Sequence, residues 1–207
     1  MIEVFLWVFV GFASGAFPSA VVIAKIFSFE DVRSVGDGNP GTVNAWKSGG
    51  WVPGLIALVL EIGKGAVPVY FAMRYFGYSP GILSQIGLSV VAIAPILGHG
   101  WSPFLKFRGG KALATTWGSW IAITNGGAFL VGCVLLGSAH VFQKNHALTV
   151  TICLTGFLVV FAPLQIQLYI PLFWILNFAV VVYKHRAEYS VGVLPRDWVL
   201  KLARRLT

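Results

Sequence analysis

The sequence predicts an all-α fold: a polytopic membrane bundle of seven transmembrane helices, N-terminus outside and C-terminus inside. Three observations carry that reading. The chain is 57% hydrophobic and only 11% charged, with a mean hydropathy of +0.80, whereas a soluble domain is about half apolar and a quarter charged. Its apolar residues come in long runs, not in alternating or heptad patterns, and a helix needs about 20 of them to cross the hydrocarbon. Finally, its cations collect in alternate loops.

The apolar segments fall at 4–24, 51–73, 80–98, 112–124, 128–142, 147–161 and 164–182. The first is not a signal peptide by composition, because Glu3 is its only early charge and the apolar part is too long. The last is interrupted by Gln165, Gln167 and Asn177 but carries no charge. The stretch 112–142 reads either as one long helix or as two that turn at Asn125-Gly126-Gly127. Cation placement decides between these. Seven spans put Lys25, Arg33, Lys47, Lys106, Arg108, Lys111, Lys144, Lys184, Arg186, Arg196, Lys201, Arg204 and Arg205 on the inner side, leaving Arg74 outside and Lys64 within a span. Six spans would move Lys144 and the whole basic tail outside, against the positive-inside rule. The span at 112–124 is then short, and it must start earlier, thin the bilayer or be shielded by its neighbours. No repeat or linker divides residues 1–207, which read as one domain.

A net charge of +8 on a chain largely in lipid points to anionic headgroups and phosphorylated substrates, not to nucleic acid. Cys133 and Cys153 sit in apolar segments without metal-ligand spacing and read as small core residues. Neither a metal nor a cofactor is expected.

Four polar features remain. "VRSVGDGNPGTVNAWK" (32–47) combines flexible Gly36, Gly38 and Gly41 with Asp37, Asn39, Thr42, Asn44 and Lys47, a composition suited either to an oxyanion or to an ordinary solvated loop. "FRGGK" places Gly109, Gly110 and Lys111 at the start of a helix, where free amides and a cation favour phosphate; a juxtamembrane cluster for lipid headgroups is the plainer reading. It is not a Walker A loop, since Leu105 stands where that loop needs glycine and Ala112 follows the lysine. "YKHRAE" (183–188) offers His185 as a general base or phosphate donor, or as part of a basic anchor. Glu61 and Lys64, three apart inside a span, read as a structural ion pair or as cavity lining. His99 precedes the glycine loop and is expected to orient it; His140 and His146 receive no role.

Together these landmarks resemble the acyl-phosphate:glycerol-3-phosphate acyltransferases of bacterial membranes, the PlsY family. "GAFPSAVVIAK", "RSVGDGNPGTVN", "EIGKG", "GHGWSPFLKFRGGKALAT" and "YKHR" resemble its motifs in order over most of the chain. The resemblance implies a seven-helix enzyme of the bacterial inner membrane, with its active site facing the cytoplasm. It implies transfer of an acyl group from acyl phosphate to the 1-hydroxyl of glycerol 3-phosphate, giving lysophosphatidic acid and phosphate. His185, Lys111 and Asn39 would be catalytic. Substrate contacts would come from Arg33, Gly36, Asp37, Gly38, Asn44, Lys47, His99, Arg108, Gly109, Gly110, Thr115, Arg186 and Glu188. The partners would be the two substrates and membrane lipids, with the chain a monomer. The sequence departs from the family pattern at Ala16, Asp37, Val43, Lys47, Ala112 and Glu188, which stand for Ser, Ser, Thr, Arg, Gly and Asn. A diverged homologue with an altered acceptor, or with a non-catalytic lipid- or anion-binding role, is the alternative. An internal salt bridge from Asp37 to Lys47 or Arg33 is expected.

Overall fold

A computed structural model describes residues 2–28, 31–77, 81–164 and 167–206; Gln165 and the start of the 80–98 segment, Pro80, lie outside the described residues, as does the Arg205 side chain. The described fold is all-helical. The helices are α1 Ile2–Ala16, α2 Ser19–Ser28, α3 Thr42–Gly49, α4 Trp51–Phe76, α5 Ile82–Gly100, α6 Leu113–Ile123, α7 Gly127–Phe142, α8 His146–Leu164, α9 Tyr169–Tyr189 and α10 Asp197–Leu206. Among the described residues four stretches, Ile2–Phe27, Trp51–Phe76, Ile82–Leu105 and His146–Leu164, are long and apolar enough to cross a membrane, while Gly127–Phe142 is apolar but shorter.

The first span is broken where the sequence suggested one run. Pro18 has no N–H and disfavours helix at the residue before it, so α1 stops at Ala16 and α2 restarts at Ser19. The Phe17 carbonyl at the break accepts from the Ser19 amide at 3.0 Å and from Lys64 Nζ of α4 at 2.9 Å, and nearby Ser14 Oγ donates to the Lys64 carbonyl at 2.9 Å. Two pieces read as polar loop or tail, 42–49 and 197–206, are helical.

Residues 112–142 form two helices, α6 and α7, turning where Asn125 and Gly126 adopt left-handed backbone (φ 50° and 94°). Short α6 is shielded: Thr115, Thr116, Gly118, Ser119, Trp120, Ala122 and Ile123 are buried. Its close approach to α4 depends on missing side chains, since a Cβ on Gly118 would strike the Ile62 carbonyl. Likewise α1 and α5 meet backbone to backbone at Gly98 and Phe12. Such small-residue contacts let helices associate in lipid, where apolar burial gives little drive. Trp120 centres the core, 5.1 Å from the rings of both Phe157 and Phe173, and its indole N–H donates to Asn177 at 3.0 Å. Outward-facing Phe5, Phe9, Val59, Leu83 and Val159 are exposed, as a lipid-facing belt requires.

Candidate active site

The polar segments meet at one end of the bundle. In the first loop, Gly36 and Gly38 take left-handed backbone (φ 62° and 72°), which curls the chain around Asp37. Asn44, on the first turn of α3, donates to Asp37 Oδ1 at 2.8 Å and to the Asn39 carbonyl at 3.0 Å, while the Asn39 amide donates to Asp37 Oδ1 at 3.2 Å. The loop thus closes on its own carboxylate.

The glycine loop lies against it. The Gly110 amide donates to the His99 carbonyl at 3.2 Å, and a Cβ on Gly110 would run into the His99 imidazole. The Lys111 amide donates to Asn39 Oδ1 at 3.1 Å. These two amides, expected to be free for an anion, are therefore already engaged; what the loop presents is the Lys111 side chain. That ammonium lies 2.6 Å from Asp37 Oδ2 and also contacts Glu188. The expected bridge from Asp37 to Lys47 or Arg33 is replaced by this one, because Arg33 is held by Asp31 at 2.6 Å. Glu188 in turn accepts from His185 Nδ1 at 3.1 Å. With Nδ1 so engaged, the buried Nε2 has no partner among the described residues.

The charges follow from these contacts. Burial alone would raise the Asp37 pKa, but donation from Lys111, Asn39 and Asn44 outweighs it and holds the value at about 2. Glu188 is likewise lowered, its burial overcome by Lys111 and His185. Lys111 is raised, since its two carboxylates outweigh its own burial. All three are charged at neutral pH.

Beneath this cluster lies a cavity of about 590 Å³. Its polar end is lined by Asn39, Thr42, Lys47 and Lys111, and its depth by Trp117, Leu136, Val150, Cys153, Leu154 and Phe157 from α6, α7 and α8. The volume is in the range of small-molecule sites. Under its rim Glu61, only 1% exposed, holds Lys64 at 2.7 Å and His99 Nδ1 at 2.8 Å. The expected ion pair is thus a triad, and through His99 it carries the glycine loop. Thr115 is buried on the same network, 3.5 Å from Glu61. Asp37, Asn39, Asn44, Gly110, Lys111, His185 and Glu188 come together; exposed Arg33 and Arg108 do not join their contacts, and Arg186 lies over the Tyr183 ring. His140 and His146 line the cavity with ring centroids 5.6 Å apart. Their six-residue spacing crosses the α7–α8 turn and gave no periodic signal. That turn is pinned to the end of α9 by Asn145, which donates to the Glu188 carbonyl at 3.0 Å.

A sequence model of the glycerol-3-phosphate acyltransferase family matches residues 5–191. The chain belongs to this family. Similar family proteins include glycerol-3-phosphate acyltransferase 1 of Thermotoga maritima, 35% identical over 91% of this chain and 98% of that one. Another is the glycerol-3-phosphate acyltransferase of Neisseria meningitidis, 32% identical over 87% and 89%. Among solved structures, the chain is similar to PlsY (YgiH), an integral membrane glycerol 3-phosphate acyltransferase, in its glycerol 3-phosphate form. That match has a TM-score of 0.79 and 26% identity, over 90% of each chain. Family membership and the apolar helices together make this chain a membrane acyltransferase of the PlsY type.

Proposed function

We propose that this enzyme transfers a fatty acyl group from acyl phosphate to the 1-hydroxyl of glycerol 3-phosphate, giving lysophosphatidic acid and inorganic phosphate. The observation that carries this reading is the shape of the cavity: a polar rim that carries Lys47 and Lys111 over an apolar depth matches a ligand with an anionic head and an aliphatic tail. The hydroxyl oxygen attacks the acyl carbon, the bond from that carbon to the phosphate oxygen breaks, and phosphate leaves with the electron pair. An acyl phosphate is already activated, so positioning and charge stabilisation suffice. Lys111 takes the charge developing on the leaving phosphate. Asn39, through the Lys111 amide, sets the loop that presents the ammonium. His185, with Nδ1 on Glu188, offers Nε2 to the hydroxyl proton. Gly36, Gly38, Asn44, Lys47 and Gly109 shape the anion subsite around Asp37, His99 and Thr115 support it from below, and Glu188 shares the Lys111 ammonium; Arg33, Arg108 and Arg186 add positive charge to the surrounding face without joining its contacts.

The same reading makes residues 1–207 one domain, acting as a monomer in the bacterial inner membrane. Seven spans with the N-terminus outside put this site on the cytoplasmic face, as the distribution of cations favours. The test is phosphate release by the purified, lipid-reconstituted chain given palmitoyl phosphate, with and without glycerol 3-phosphate, beside Lys111→Ala. Acceptor-dependent release with lysophosphatidic acid formed, and lost in the variant, is expected. The alternative, a diverged homologue that binds anions without turnover, draws support from the two carboxylates already on Lys111. Absence of release above the Lys111→Ala background in folded protein would favour it.

A further inference from the structure

Lys111 is gripped from two sides by acids that belong to different elements. Asp37 reaches it from the first loop and Glu188 from the last turn of α9. Each acid is fixed independently, Asp37 by Asn44 and the Asn39 amide, Glu188 by His185. An ammonium has three protons to donate, and two are taken. The cluster therefore holds one positive and two negative charges before any substrate enters. A phosphate oxygen on Lys111 must displace a carboxylate oxygen or sit beside it, and like charges held together are costly.

The two acids differ in how easily they yield. Asp37 is 51% exposed and stands between two glycines with left-handed backbone, whereas Glu188 is 25% exposed on a helix. By exposure the loop acid is the first to give way and the helical one the second.

We propose that Asp37 and Glu188 are exchange ligands: internal carboxylates that occupy Lys111 when its phosphate subsite is empty and compete with phosphate for it. Their consequence for the cycle is that inorganic phosphate is ejected rather than retained, and that the phosphate-bearing substrate must displace Asp37 to bind. The proposal rests on the reading of Lys111 as the phosphate anchor. It assigns the acids a sign opposite to that of a supporting role, since supports that merely position Lys111 would strengthen phosphate binding, not weaken it.

The experiment is equilibrium binding of radiolabelled orthophosphate to the full-length chain in detergent at neutral pH, with no acyl donor. Asp37→Asn and Glu188→Gln keep the size of each side chain, and Asp37→Ser is a second loop variant; thermal melting confirms that each is folded. Each substitution should tighten phosphate binding roughly tenfold, and the Asp37→Asn/Glu188→Gln double variant should bind tighter than either single one. Adding Lys111→Ala to that pair should abolish the gain. Unchanged or weaker binding in folded single variants would overturn the exchange role. Tight binding that survives Lys111→Ala would instead overturn Lys111 as anchor, and with it the reading on which the proposal rests.

Discussion

Replacing Glu61 by Gln should destabilise the protein far more than the loss of ordinary hydrogen bonds. Glu61 Oε1 accepts from Ser19 Oγ at 2.7 Å and from the Ala20 amide at 3.2 Å, and Oε2 accepts from Lys64, from His99 and, at 3.5 Å, from Thr115. A glutamine presents one oxygen and one NH2, so whichever way it turns its nitrogen faces one group that can only donate, the Ala20 amide or the Lys64 ammonium, while the Ser19 hydroxyl and the His99 imidazole can reverse their roles. At least one bond is lost, and Lys64, 8% exposed, is left without a counter-ion. Breaking one side of a buried pair costs about 3–5 kcal/mol, whereas a hydrogen bond between transmembrane helices averages about 0.6 kcal/mol. The two accounts are therefore well separated. The assay is reversible unfolding of Glu61→Gln, Lys64→Met and the double variant in mixed micelles titrated with SDS. The single Glu61→Gln change should lose about 3 kcal/mol or more. Lys64→Met should recover part of that loss in the double variant, with a coupling energy of about 2 kcal/mol. A loss near 0.6 kcal/mol, or a coupling near zero, would refute the ion-pair reasoning and leave a set of ordinary polar contacts.

Other consequences follow from the same geometry. Gly118→Val drives a side chain into the Ile62 carbonyl, so α4 and α6 must separate; a loss of about 1–3 kcal/mol should appear in the same unfolding titration. Cys153→Trp fills the apolar depth of the cavity and should shift donor preference in the acyl-transfer assay towards shorter acyl phosphates, with little effect on the shortest. Asp37 has its pKa lowered from 3.8 to about 2, so the stability it contributes is complete above its unfolded value and is lost as pH falls through the folded one. Acid unfolding followed by tryptophan fluorescence should therefore be steeper between about pH 4 and 2 in the wild type than in Asp37→Asn.

Much of this architecture is written in the sequence because lipid imposes a coarse rule: apolar runs become helices, and cations stay at one end. The turn at Asn125-Gly126 was legible in that way, whereas for short α6 the sequence left three ways open, of which the structure shows shielding. The break in the first span was not, since hydropathy is blind to Pro18, which leaves the run apolar while removing a donor. The site was legible in its parts and not in its pairings. "GDGN" and "GGK" each announce a loop, but that Asp37 chooses Lys111, 74 positions away, depends on Arg33 being held locally by Asp31. His140 and His146 were invisible because a turn, not a helix repeat, brings them to one cavity. Glu61 looked like half of a pair; the third member, His99, lies on another helix.

The interruption after Ala16 has a bearing on how the chain enters the bilayer. Its exposed carbonyl at Phe17 and the start of α2 find their partners on α4, at Lys64 and Glu61. When only the first fifty residues have left the ribosome, those partners have not yet emerged. The leading segment then lacks the contacts that α4 supplies to its break. In the folded protein the later segment completes the earlier one, and each brings polar groups that the other neutralises.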